Sequence, residues 1–123
     1  MIFLIAEDNR RMRESILHFL QTRIPDHHSF FEALDGREVI DLFERVHPDW
    51  VIMDIEMEPM DGLVASRAIL AAHPEAKIII LTNYDEPNYR AAAKAAVALA
   101  FVLKDHLSDI FSTLSPYITE GPT

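Results

Sequence analysis

The chain has 123 residues, a formal charge of −9, half of its residues hydrophobic, a quarter charged, and no cysteine. That composition fits one globular domain with one core and excludes disulfides, thiolate catalysis and thiolate metal sites. The acidic surface disfavours direct binding to a nucleic-acid backbone or an anionic membrane, and no apolar stretch approaches membrane-spanning length.

The first strand runs from Ile2 to Ala6 and is apolar throughout, as a strand covered on both faces should be. It lacks a basic leader and a cleavage site, so it reads as a strand and not a signal peptide; a cytoplasmic location is the expectation for the chain. Glu7-Asp8 follows, and Asp8 or Asn9 caps the next helix. That helix turns Met12, Ile16, Phe19 and Leu20 to one face and leaves Arg10, Arg11 and Arg13 wet. Pro25 closes it. A second strand spans Ser29 to Leu34. Asp35-Gly36 then starts a helix with Val39, Phe43 and Val46 inward, ended by His47-Pro48. The third strand, from about Asp49 to Asp54, buries Val51, Ile52 and Met53 and leaves Asp54 at its carboxyl end.

A polar loop from Glu56 to Asp61 leads into a helix whose apolar residues are Leu63, Ile69 and Leu70, ended by His73-Pro74. The fourth strand covers Lys77 to Thr82. An alanine-rich helix is expected over Tyr89 to Val97, and a fifth strand over Ala100 to Leu103, ending in Lys104. The last helix starts near Ser108 with Ile110, Phe111 and Leu114 inward, and Pro116 kinks or ends it. The expected organisation is one domain over residues 1–118 and a frayed tail over residues 119–123.

Five alternating strand–helix units imply an α/β fold with a parallel sheet covered by helices on both faces. In such sheets chemistry sits at the carboxyl ends of the strands. Glu7, Asp8, Asp54, Thr82 and Lys104 all occupy such ends. Three carboxylates on one edge would raise at least one pKa unless a cation intervened, and magnesium suits oxygen ligands of this kind. Asp54 is then placed to act as a nucleophile that forms an acyl phosphate. Lys104 and Thr82 are placed to stabilise the transferred group. No general base for a water is evident. Taken singly, Asp8 and Thr82 read as helix caps and Lys104 as a solvated charge; their joint placement favours one site.

At these residues the sequence resembles a response-regulator receiver domain of two-component signalling. The motifs are Glu7-Asp8 after the first strand, MDIEMEPMDGL around Asp54, LTNYD around Thr82 and FVLKD around Lys104. They cover nearly the whole chain and are similar to receivers joined to helix-turn-helix output domains. The resemblance implies a doubly wound five-stranded sheet in the flavodoxin-like order 2-1-3-4-5. It implies that Asp54 accepts a phosphoryl group from a phosphohistidine on a histidine kinase or phosphotransfer protein. It implies that Asp8 and Asp54 bind Mg2+ by side chain, Glu56 by its backbone carbonyl and Glu7 through water. Thr82 and Phe101 become the switch pair, remodelling the face of the fourth helix, fifth strand and fifth helix for partners or a homodimer. A DNA-binding output domain outside this chain is a further implied partner. Such a domain assists its own phosphorylation and dephosphorylation without being an enzyme.

Three positions depart from the family's pattern. Glu58 stands where the family has proline, which here follows as Pro59, so the loop after Asp54 is expected to take a different path. Asn83 is larger than the usual residue after Thr82 and, with Tyr84 beside it, is expected to modulate access to Asp54. The turn Ala96-Val97-Ala98-Leu99-Ala100 lacks the usual glycine.

Other features read as structural. His27-His28 are adjacent, so their side chains point apart. His18, His73 and His106 read as surface, core or helix-start residues, and Trp50 as packing. Two rival functions remain at this stage. A haloacid-dehalogenase-like aspartyl-phosphate hydrolase would need an Asp where Glu56 stands, and a non-phosphorylated interaction domain would keep the site for structure only.

Overall fold

The computed structural model describes residues 1–24, 28–83, 88, 91, 94 and 99–117. Five strands form one parallel sheet in the order β2-β1-β3-β4-β5. They are β1 (Ile2–Ala6), β2 (Ser29–Ala33), β3 (Trp50–Asp54), β4 (Ile78–Thr82) and β5 (Ala100–Leu103). The order is the one the resemblance implies. Helices α1 (Arg10–Arg23), α2 (Gly36–Val46), α3 (Gly62–Ala72) and a C-terminal helix (Ser108–Leu114) complete the described elements. None of these helices is long and apolar enough to cross a membrane.

Strand alternation divides the core in two. Leu4, Val51, Met53, Ile78 and Ile80 face Val39, Phe43, Ala65 and Ile69 of α2 and α3. Phe3, Ile5, Trp50, Ile52, Ile79 and Leu81 face Ile16 and Leu20 of α1 and Ile110 and Leu114 of the C-terminal helix. The central strands are buried along their whole length, which is why their sequences read as unbroken apolar runs. Trp50 is a packing residue, with Tyr117 edge-on to its ring.

Each of the first three helices starts on a side-chain cap. Asn9 accepts from the Met12 amide, Asp35 from Glu38 and Asp61 from Val64. Because Asn9 takes the cap of α1, Asp8 is not used there. Two glycines allow close backbone approaches. A Cβ on Gly62 would lie 1.9 Å from the Asp54 carbonyl oxygen, and one on Gly36 would lie 2.8 Å from that of Met60. Both α2 and α3 therefore start hard against the β3 end and its loop.

Strands β2, β3 and β4 are each slightly shorter than expected, ending at Ala33 or starting at Trp50 and Ile78. Leu34 lies past β2 and is exposed. Asp49 lies before β3, where its carboxylate accepts the Ile2 N–H at 2.7 Å. One expectation is corrected. Arg13 is not solvated: its side chain is 15% exposed and holds two partners described below. The alanine-rich helix as a whole, Pro25, His27, Tyr84, the turn over residues 96–98 and the tail over residues 119–123 lie outside the described residues.

Candidate functional site

β1 and β3 are neighbours, and so are β3, β4 and β5 in turn. Their carboxyl ends therefore bring Glu7-Asp8, Asp54, Thr82 and Lys104 to one edge of the sheet. Carboxylate oxygens of Glu7, Asp8 and Asp54 all lie within 4.8 Å of one another. Lys104 Nζ stands 2.6 Å from Glu7 Oε1 and 3.1 Å from Asp54 Oδ2. Glu7 and Asp54 are almost fully buried, while Asp8 is exposed at the mouth. The remaining Glu7 oxygen accepts the Asn9 N–H at 3.2 Å, and Asp54 Oδ1 accepts the Glu56 N–H at 3.1 Å.

The mouth is an open cleft of about 610 Å³, lined by Glu7, Asp8, Asp54, Glu56, Asn83 and Lys104, with Arg11 and Ser15 of α1 on its flank. Glu56 and Asn83 are both exposed there. Beyond Glu56 the loop contains a cis Glu58-Pro59 peptide. Its Met57 N–H and the Gly62 N–H both donate to the Ile55 carbonyl. Thr82 is buried at the end of β4, and its carbonyl accepts the Lys104 N–H at 2.8 Å. Phe101 pairs with Ile80 across β4 and β5 and packs, half-buried, on the α2–α3 side of the core. Tyr84 lies outside the described residues.

Among the described residues of the cluster, three carboxylates share one ammonium, and the electrostatics follow from that shortage. Burial, the hydrogen bond with Glu7 and the Glu7 charge push Asp54 up from 3.8 to about 7, against the opposing pull of Lys104. Burial also pushes Glu7 upward, but hydrogen bonds from Lys104 and Asp54, the Lys104 charge and the Asn9 N–H outweigh it and hold Glu7 below its usual value. Below about pH 7 this favours the proton on Asp54, since Glu7 has the closer ammonium. Desolvation at the cleft and the Glu7 carboxylate raise Asp8. Lys104 is drawn down by burial but raised overall by its bond to Glu7 and the charges of Asp54 and Glu7. Such a set of oxygens suits a hard divalent cation, which would relieve the repulsion that the proton now relieves.

Two residues of the site escaped the sequence reading. Arg13 donates from Nη1 to the Glu7 carbonyl and from Nε to Glu32 Oε1, each at 2.8 Å. Its spacing from Glu7 gave a usable signal, because a helix capped at Asn9 turns residue 13 back toward the β1 end. Gly62 is the other, a glycine that follows the polar loop over Glu56 to Asp61. Its lack of a side chain is what lets α3 pack on the Asp54 backbone.

The family model described as the response regulator receiver domain matches residues 3–114. The transcriptional regulatory protein LiaR of Bacillus subtilis is 34% identical over 101 residues, which is 82% of this chain and 47% of that protein. The transcriptional regulatory protein PdtaR of Mycobacterium tuberculosis is 34% identical over 112 residues, 90% of this chain and 53% of that protein. The crystal structure of a LuxR-family DNA-binding response regulator from Staphylococcus aureus superposes with a TM-score of 0.84 at 27% identity, covering 94% of this chain and 96% of that one. The chain spans about half the length of the curated relatives it matches.

Proposed function

The chain belongs to the response regulator receiver domain family, and on that premise we propose that it is a phosphorylation switch whose phosphoacceptor is Asp54. The observation that carries this reading is the placement of Asp54, within 4.8 Å of the Glu7 and Asp8 carboxylates and 3.1 Å from the Lys104 ammonium. A carboxylate oxygen of Asp54 attacks the phosphorus of a phosphohistidine on a kinase or phosphotransfer protein. The P–N bond breaks, the imidazole leaves, and a mixed anhydride forms on Asp54.

The donor set fits Mg2+, held by the side chains of Asp8 and Asp54, the backbone carbonyl of Glu56 and, through water, Glu7. When bound, the ion neutralises charge on the transferring group. Lys104, 3.1 Å from Asp54, would neutralise charge on the transferred group as well. Thr82 hydrogen-bonds the product, and Phe101 follows by repacking on the α2–α3 side of the core. Asn83 and Tyr84 control access of water. The reaction modifies the domain itself and turns over no external substrate.

The names of the relatives support a transcriptional output, which we assign to a DNA-binding domain outside these residues. Residues 1–118 are the receiver unit in this reading, and the face around β5 and the C-terminal helix meets partners or a second copy. Labelling by acetyl phosphate with and without Mg2+, read by intact mass, tests the proposal. A stable, Mg2+-dependent gain of one phosphoryl group, absent in Asp54→Asn, is expected. No labelling would leave an interaction domain, and rapid multiple turnover would leave a hydrolase.

A further inference from the structure

We propose that Arg13 is a positioning residue for the acidic cluster, its guanidinium fixing the Glu7–Asp8 peptide and so the direction of both carboxylates. The inference rests on the reading of the site as a cation-dependent phosphoacceptor. Glu7 lies one residue past β1, where the sheet no longer dictates where its carbonyl points. Its N–H is held by the Ala33 carbonyl of β2 at 3.1 Å. Its carbonyl is held from the opposite element, by Arg13 Nη1 of α1 at 2.8 Å. The carbonyl of Glu7 and the N–H of Asp8 belong to one planar unit, so holding the first also fixes the Asp8 N–Cα bond about which its side chain is placed.

Arg13 is itself oriented. Its Nε donates to Glu32 Oε1 at 2.8 Å, and its side chain is 15% exposed against 47% for Glu32. Glu32 belongs to β2, the strand at the sheet edge, so the guanidinium bridges α1 to the β1–β2 end at two points. Its planar fork keeps both bonds at once. A lysine ammonium offers a single charged point and cannot reproduce that geometry. Arg10 is different, because its Nε pairs with Glu14 on the same helix and both side chains are well exposed.

Isothermal titration of Mg2+ into wild type, Arg13→Met, Arg13→Lys and Glu32→Gln tests the proposal, beside urea unfolding and amide spectra of the metal-free proteins. Arg13→Met should weaken Mg2+ binding by about tenfold or more and shift the Asp8 amide resonance before any metal is added. Asp54 labelling should recover at saturating Mg2+, which places the defect in binding. Arg13→Lys should recover part of the affinity, and Glu32→Gln should lose less than Arg13→Met. Unchanged Mg2+ affinity in Arg13→Met overturns the proposal, even if its urea midpoint falls. Full recovery in Arg13→Lys also overturns it, because charge alone would then suffice. If Arg13→Met does not fold, the lysine and glutamine variants decide by the same measures. Wild type that binds no Mg2+ refutes the phosphoacceptor reading itself, before any variant is compared.

Discussion

Replacing Asp54 by Asn should stabilise the metal-free protein, by an amount that grows with pH. The Asp54 carboxyl is almost fully buried, and its pKa is pushed from 3.8 to about 7. Between those values the unfolded chain has already released a proton that the native state still holds. Wild-type stability therefore falls as pH rises, by about 1.36 kcal/mol for each pH unit, and stops falling above the folded pKa. Roughly three units give a limit of about 4 kcal/mol, reduced where water entry and side-chain relaxation screen the charge. Asn does not ionise. Its oxygen retains the Glu56 N–H, 3.1 Å away in wild type, and its amide can donate to Glu7 in place of the proton. The loss is the Lys104–Asp54 contact at 3.1 Å, while Lys104 keeps its 2.6 Å contact with Glu7. Urea unfolding of both proteins in EDTA from pH 4 to 9 measures the balance. The gap should be smallest near pH 4 and reach about 2–4 kcal/mol on a plateau above pH 8. A gap that does not change with pH, or an Asn variant less stable than wild type at pH 8, refutes the reasoning.

Lys104→Met leaves two buried carboxylates without their cation, so stability at pH 8 should fall by about 3–5 kcal/mol. Urea unfolding should show the deficit shrinking toward pH 4 as the carboxyls take up protons. Gly62→Ala forces a methyl group to within 1.9 Å of the Asp54 carbonyl oxygen unless α3 retreats. It should cost about 1–3 kcal/mol or more, and it should slow phosphodonor labelling because the displaced backbone carries Asp54. Asn9→Ala removes the cap that accepts the Met12 N–H at 2.9 Å. It should cost about 1 kcal/mol in urea unfolding, with labelling of Asp54 retained.

The fold was legible because its strands are unbroken apolar runs separated by helical periodicity. Val51-Ile52-Met53 and Ile78-Ile79-Ile80-Leu81 are fully buried. The candidate site was legible for a related reason: each polar group ends such a run or directly follows it. Strand order was less legible, since alternation fixes that a sheet is parallel but not which strands adjoin; the family resemblance carried it. Arg13 was missed because a charged residue near a helix start is usually wet. Its burial depends on Glu32, nineteen positions later in the chain and brought near only by the pairing of β1 with β2. Which acid is protonated was not legible either. Sequence shows three carboxylates and one lysine, whereas the 2.6 and 3.1 Å separations decide that Glu7 is the better-compensated one.

That imbalance also sets how the site should respond to a cation. With Glu7, Asp8 and Asp54 all ionised, Lys104 leaves the cluster short of positive charge. The proton on Asp54 makes up part of the deficit below about pH 7. A divalent ion needs the same oxygens without that proton, so binding must expel it. Mg2+ affinity should therefore be nearly constant above pH 8 and fall by about tenfold per pH unit well below pH 7, the slope of one displaced proton. The raised pKa of Asp8 steepens the fall at lower pH. Calorimetry at pH 6 in buffers of different ionisation enthalpy should detect close to one released proton, and at pH 9 almost none. In Asp54→Asn that release should vanish, and the remaining pH dependence should belong to Asp8. Equal proton release by wild type and Asp54→Asn at pH 6 would place the proton elsewhere. A pH-dependent stability gap between the two proteins would then lose its physical cause.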